Sequence, residues 1–381
     1  MISDTMRRSS LIIVAVLLGA AALHGQRGRG PSVVSPEVHA DRTVTFRFLA
    51  PSAREVALGA DLDGTPHPMT KDSNGVWSVT VGPLPPEIYA YTFNADGLPV
   101  LDPRNANTKL GYGNFGAVSL AVVPGEGPQF YDVKPVPHGV VRIHPYESKS
   151  LGVARTMWVY TPPDYDRGRN YPVLYLLHGA GDVESGWTLI GRANNILDNL
   201  IAEGKARPMV VVMPLGHAVQ SFLAGPPKAA AAAAPPAGAL TAFGRDLVDD
   251  VMPLIERSYK VSRRSDDRAI GGLSMGGGQT INVAFGRPEL FRYVVVMSAG
   301  AQGIEQSYPA FFGDPAAINR QFKLLWVGVG KDDALATGGS RVLDEVLTRR
   351  AIRHVYRVTG GRHEWSVWRH HLHEVAPLLF R

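Results

Sequence analysis

Between Val38 and Val123 apolar and polar positions alternate over short stretches. Thr43–Phe48, Glu55–Leu58, Val76–Val81 and Tyr89–Phe93 each read as a strand with one buried face. Asn74-Gly75 and Asp96-Gly97 punctuate these runs as turns, and no stretch of helical period separates them. This spacing predicts a small all-β sandwich over residues 36–124. Gly125-Glu126-Gly127-Pro128 then interrupts the pattern and opens a predicted linker over 125–139.

From Val140 to the end, over residues 140–381, the texture changes. Apolar runs fall at Val140–Ile143, Thr156–Tyr160, Val173–Leu177, Val210–Met213, Arg268–Gly271, Tyr293–Met297, Leu324–Val329 and His354–Val358. Helical patterns lie between most of them, including Asn194–Glu203, Asp246–Arg257 and Ser340–Arg350. Strands alternating with helices predict an α/β domain, a doubly wound and mostly parallel sheet covered on both faces. In such sheets the chemistry collects beyond the carboxyl ends of the strands. Gly225–Gly238, with six consecutive alanines at Ala229–Ala234, breaks the alternation after the fourth run. It reads as a surface insertion, with a lid over the site as the alternative.

Residues 1–26 carry a different signal. Arg7 and Arg8 precede the short apolar run Leu11–Leu18, which continues to Leu23 before small and polar residues. This is the layout of a secretory signal peptide, cleaved near His24–Gln26, and it predicts a secreted or bacterial periplasmic protein. The rival reading is an uncleaved anchor, but the run is short for a bilayer span, and no later stretch of the sequence is apolar enough to span one. No membrane association beyond the signal peptide is expected. The chain has no cysteine, which excludes disulfides, thiolate metal sites and cysteine nucleophiles. Net charge is +5, but the basic residues are dispersed, so no nucleic-acid partner is expected.

Gly272-Leu273-Ser274-Met275-Gly276 is the strongest motif. It follows one predicted strand and enters a helical stretch, the setting of a nucleophile elbow. That geometry exposes the Ser274 hydroxyl and turns the Met275 N–H toward a reacting carbonyl oxygen. Leu177-His178-Gly179-Ala180-Gly181-Asp182 follows the third strand. This loop supplies the second oxyanion donor, assigned to the Ala180 N–H, while His178 shapes the loop. His363, in the loop after the last strand, is the candidate general base. His370, His371 and His373 with Glu374 match no zinc spacing and read as a polar helix face, so no metal or cofactor is expected. Asp332 and Asp333, after the seventh strand, are both candidates for the acid that orients the imidazole. Trp187 and Trp365 are candidate substrate-binding aromatics.

The stretches Tyr171–Gly216, Ala269–Gln279 and His354–Trp368 resemble bacterial feruloyl esterases. Those belong to an esterase D and enterochelin-esterase-like group of α/β-hydrolases that includes acetylxylan esterases. The resemblance places the acid on Asp333. It implies a Ser-His-Asp esterase acting on feruloyl or acetyl esters of xylan, with plant polysaccharide or its esterified oligosaccharides as partner. A siderophore esterase, and a catalytically silent carbohydrate-binding protein on the same fold, are the alternatives. The N-terminal region resembles immunoglobulin-like E-set modules related to the N-domains of glycogen-branching enzymes. That implies either carbohydrate binding or a packing and spacing role. The sequence sets neither the acyl group nor the oligomeric state.

Overall fold

The computed structural model describes residues 33–62, 65–113, 116–225 and 236–381. The predicted signal peptide, and residues 226–235 of the predicted insertion, lie outside the described residues. No described helix is long and apolar enough to cross a membrane.

The N-terminal module is a two-sheet antiparallel sandwich. In one sheet Val44–Leu49 pairs with Glu37–Val38 and with Val76–Val81. In the other, Glu87–Ala95 lies between Val56–Ala60 and Val118–Val123. The inward-facing side chains Val44, Phe46, Leu58, Tyr91, Phe93 and Ala121 form its core. The alternation read in the sequence is therefore the alternation of the two faces of each sheet.

The C-terminal domain holds one eight-stranded sheet. Its strands are β1 (Val140–Ser148), β2 (Val153–Thr161), β3 (Val173–Leu177), β4 (Val210–Pro214), β5 (Arg268–Leu273), β6 (Tyr293–Met297), β7 (Leu324–Gly330) and β8 (Val355–Thr359). The order across the sheet is β1-β2-β4-β3-β5-β6-β7-β8. β1 and β2 are antiparallel to their neighbours and β3 to β8 run parallel. Every residue of β3, β4 and β6 is buried. Strands covered on both faces read as unbroken apolar runs. The edge strands β1 and β8 instead mix exposed and half-buried positions, as edges do when they avoid pairing with other chains.

Helices α1 (Ala193–Ala202), α2 (Met275–Gly286), α3 (Thr337–Arg349) and α4 (Trp365–Val375) cover the sheet. A further helical stretch at 242–258 contains a π-helical turn, Asp246–Val251. Its buried Asp246 accepts from the Tyr146 hydroxyl at 2.8 Å and pairs with the Arg155 Nε at 3.1 Å. Arg155 is fully buried, and its guanidinium also donates to the carbonyls of Leu215, His217 and Val219. The chain leaving β4 is thereby fixed beside the site.

The segment predicted as a linker is packed against the domain. Asn195 and Asn199 of α1 donate to the carbonyls of Tyr131, Phe130 and Asp132. Asp198 accepts from the Gly139 N–H at 2.9 Å, and Tyr131 is buried. Glycine and proline around 125–128 mark a turn there, while the residues after it form a strap along α1.

Candidate active site

Ser274 sits at the junction of β5 and α2 with φ 53° and ψ −117°. A non-glycine residue seldom adopts this backbone, and such strain persists only where its surroundings enforce it. The enforcement is visible here. A methyl group on Gly276 would lie 2.6 Å from the carbonyl oxygens of both Leu177 and His178. The helix start can therefore press against the end of β3 only because Gly276 has no side chain. The Ser274 N–H donates to the Met297 carbonyl at 2.9 Å, which ties the elbow to β6.

Two further strand ends meet Ser274. His363, in the loop after β8, brings its Nε2 to 2.9 Å from the Ser274 Oγ. Its Nδ1 lies 2.8 Å from the Asp333 Oδ2, in the loop after β7. Asp333 is fully buried, and its Oδ1 accepts from the N–H groups of Leu335 and Ala336 at 3.1 and 2.9 Å. Burial raises the cost of charge on this carboxyl. The hydrogen bonds from His363, Ser298 and Ala336 outweigh it and hold the carboxyl below the usual range. Asp332 points to solvent, 3.9 Å from the Lys331 ammonium, and does not contact His363. With Nδ1 donating to the carboxylate, Nε2 is left as the acceptor facing the hydroxyl.

The loop after β3 closes over the serine. The Asp182 N–H donates to the Gly179 carbonyl at 3.1 Å, leaving Ala180 and Gly181 at the turn's apex. A methyl on Gly179 would come within 3.5 Å of the Ser274 Cβ, so this backbone passes directly beside Ser274. Met275 is the first residue of α2, where an N–H has no partner inside the helix. His178 is buried, lies 2.8 Å through Nδ1 from the Gly179 carbonyl and accepts from the Gly216 N–H on Nε2. Burial pushes its pKa down to about 3, so the imidazole is neutral and acts as a cross-link between two loops.

This arrangement of strand, elbow, imidazole and buried carboxylate is matched by sequence. Residues 148–379 match the family model described as "Putative esterase". The chain belongs to this esterase family. Residues 33–106 match carbohydrate-binding module 48, the isoamylase N-terminal domain. An endo-1,4-beta-xylanase/feruloyl esterase from Xylanibacter ruminicola is 32% identical over 92% of this chain and 46% of its own length. The chain thus spans about half the length of that curated relative, and 22% of the length of an endo-1,4-beta-xylanase Y from Acetivibrio thermocellus. Among solved structures, a ferulic acid esterase from Anaeromyces mucronatus superposes with a TM-score of 0.54 at 22% identity, over 67% of this chain and 96% of that one. The enterobactin esterase of Shigella flexneri gives a TM-score of 0.64 at 18% identity, over 88% and 92%. At these identities the two structures establish the shared fold.

In the esterase domain one of the predicted aromatic contacts is corrected. Trp187 is fully buried; its indole N–H donates to the Leu177 carbonyl at 3.0 Å, so no face of the ring is open to a substrate. It packs edge-on against Trp365, with centroids 5.1 Å apart. Trp365 is itself nearly buried, but it lines a cavity of about 350 Å³ between the two domains, with Asp61, Leu84, Tyr89, Glu364 and His370. Two residues beside the site carry no motif. Trp368 stands edge-on to the His363 ring at 5.0 Å and donates through its indole N–H to the Ser298 hydroxyl. Ser298, at the end of β6, has φ 49°, a local strain that sequence pattern does not announce. The α4 imidazoles do not form the single polar face expected of them, because His371 turns into the core. His371 is buried with Nε2 at 2.9 Å from the Thr359 hydroxyl, while His370 and His373 pack on Phe130.

Proposed function

We propose that this chain is a secreted serine esterase that releases feruloyl or acetyl groups from plant polysaccharide. The observation that carries the reading is the continuous Ser274–His363–Asp333 relay at three neighbouring strand ends. His363 Nε2 accepts the Ser274 proton while the Oγ attacks the ester carbonyl, and the charge that develops on oxygen is met by the Met275 and Ala180 N–H groups. The imidazolium, supported by the Asp333 carboxylate, then protonates the departing alcohol as the C–O bond breaks. Water, deprotonated by the same imidazole, attacks the acyl-serine and releases the acid.

The substrate class rests on the relative from Xylanibacter ruminicola, whose name joins xylanase and feruloyl esterase activities, and on the carbohydrate-binding-module match. The cavity at the domain boundary is lined by carboxylates and aromatic rings, among them Glu364 and Trp365, which follow His363 in the chain; such groups suit the hydroxyls and faces of a sugar. Export rests on the predicted signal peptide at 1–26. Initial rates on methyl ferulate, acetylated xylan and enterobactin under identical conditions test the reading. Turnover of either of the first two well above enterobactin is expected. Turnover of enterobactin alone replaces the substrate class, and no turnover of any ester overturns the reading.

A further inference from the structure

The N-terminal module reaches the active site through Lys109 and Tyr112, whose contacts in the esterase domain fall on the loop after β3 and on the chain leaving β4. Thr108–Lys109 is a short strand paired to Val118–Ser119, so it is anchored in the sandwich. From there the Lys109 Nζ reaches the Asp182 Oδ1 at 2.5 Å, with the two side chains only 10% and 7% exposed. The Tyr112 N–H donates to the Gly181 carbonyl at 3.3 Å. The Tyr112 ring stacks on His217 with centroids 3.6 Å apart and planes 16° from parallel. His217 in turn has Nε2 at 3.2 Å from the Asp182 carbonyl. The loop is therefore held at a side chain and two carbonyls; the ion pair on Asp182 and the bond to the Gly181 carbonyl come from the N-terminal module, while the Trp365 indole of α4 also supports the Asp182 carboxylate.

The loop needs such restraint. Gly179-Ala180-Gly181 has no side chain larger than a methyl, and one backbone hydrogen bond closes its turn. Two glycines give a segment of this kind many backbone states of similar energy. A donor for a developing oxyanion contributes only if it is already aimed when the charge appears.

We propose that Lys109 is a positioning residue for the reaction: through its ion pair with Asp182, the N-terminal module aims the Ala180 N–H at the oxyanion. The module is then a working part of the esterase site as well as a separate binding unit. This rests on the proposed acyl-enzyme reading, in which the Ala180 N–H is a donor. The ion pair is also locally necessary. Burial pushes the Asp182 carboxyl up and the Lys109 ammonium opposes that shift, while Asp61 is a carboxylate close enough to repel it. Without Lys109, Asp182 keeps the Trp365 indole but loses the cation that draws it toward the module.

The test uses the full chain with p-nitrophenyl acetate as substrate and Lys109→Met, Lys109→Arg, Asp182→Asn and the double variant Lys109→Met/Asp182→Asn. Removing a whole oxyanion donor costs about 10²–10³ in kcat, so loosening one should cost about 10–100-fold. The expected result for Lys109→Met is that loss in kcat with KM within threefold and the pH profile unmoved. Lys109→Arg should recover part of the rate. The double variant, freed of an unpaired buried charge, should regain the parent Tm while its kcat stays low. If Lys109→Met retains kcat within twofold, or if kcat recovers together with Tm in the double variant, Lys109 serves only to dock the module and the proposal fails. Should Lys109→Met not fold, the double variant decides alone. Ser274→Ala run alongside separates the two ideas, since a fully active Ser274→Ala would sink the acyl-enzyme reading itself.

Discussion

Replacing Asp333 with Asn is the substitution whose consequence the geometry specifies most fully. The Oδ1 of Asp333 accepts two backbone N–H groups, from Leu335 and Ala336. In the variant the amide oxygen must keep that position, because an NH₂ group there would face two donors. The NH₂ is then turned toward His363, where the Oδ2 now sits 2.8 Å from Nδ1. A donor facing Nδ1 makes Nδ1 the acceptor and moves the ring proton to Nε2, the nitrogen 2.9 Å from Ser274. That imidazole has no lone pair for the serine proton. In serine proteases the same exchange lowers kcat about 10⁴-fold, equivalent to about 5.5 kcal/mol of barrier. A loss of that order is expected here, because the exposed Asp332 does not contact the imidazole. Asp332→Asn should change kcat less than about tenfold, the range of an exposed charge. The assay is kcat on one chromogenic ester at fixed pH, with circular dichroism to confirm folding. A crippled Asp332→Asn, or a loss below tenfold for Asp333→Asn, would refute the tautomer argument.

Two other consequences concern stability. Arg155→Met leaves Asp246 buried without its cation and three carbonyls without a donor; a loss of about 3–5 kcal/mol in urea unfolding is expected, and a loss below 1 kcal/mol would show that the pair is dispensable. Burial pushes the His371 pKa down to about 3, so below pH 6.5 the unfolded chain takes a proton that the folded one refuses. Stability is therefore lost as pH falls, by about 2 kcal/mol from this group between pH 7.5 and 5.0. His371→Gln should flatten the pH dependence of the urea midpoint by that amount, and an unchanged slope would contradict the assignment.

The parts of the fold visible in the sequence are those enforced by burial. β3, β4 and β6 read as apolar runs because both faces are covered, and the sandwich alternates because one face of each strand is covered. The meeting of Ser274 and His363 was legible because each follows a strand, at the carboxyl edge of the sheet, and their side chains lie 2.9 Å apart there. The choice between Asp333 and Asp332 was not open to residue patterns, since adjacent carboxylates differ only in which way the loop turns them. That Trp187 is turned away from any substrate was not legible, because residue type does not set side-chain direction and the helical turn Gly186–Leu189 carries its ring inward. The strap along α1 was hidden because the asparagines and the aspartate that hold it lie some sixty residues away in the chain. Lys109 was hidden for the same reason, sitting in a two-residue strand whose partner Asp182 belongs to another domain.

The central claim is that Ser274 carries the acyl group between the two halves of the reaction. Rapid mixing with p-nitrophenyl acetate, followed by acid quench and peptide mass mapping, tests this directly. The account predicts a burst of p-nitrophenol equal to the enzyme concentration and an acetyl adduct on the peptide containing Ser274, both absent in Ser274→Ala. An adduct on any other residue, or a burst that survives Ser274→Ala, would contradict it.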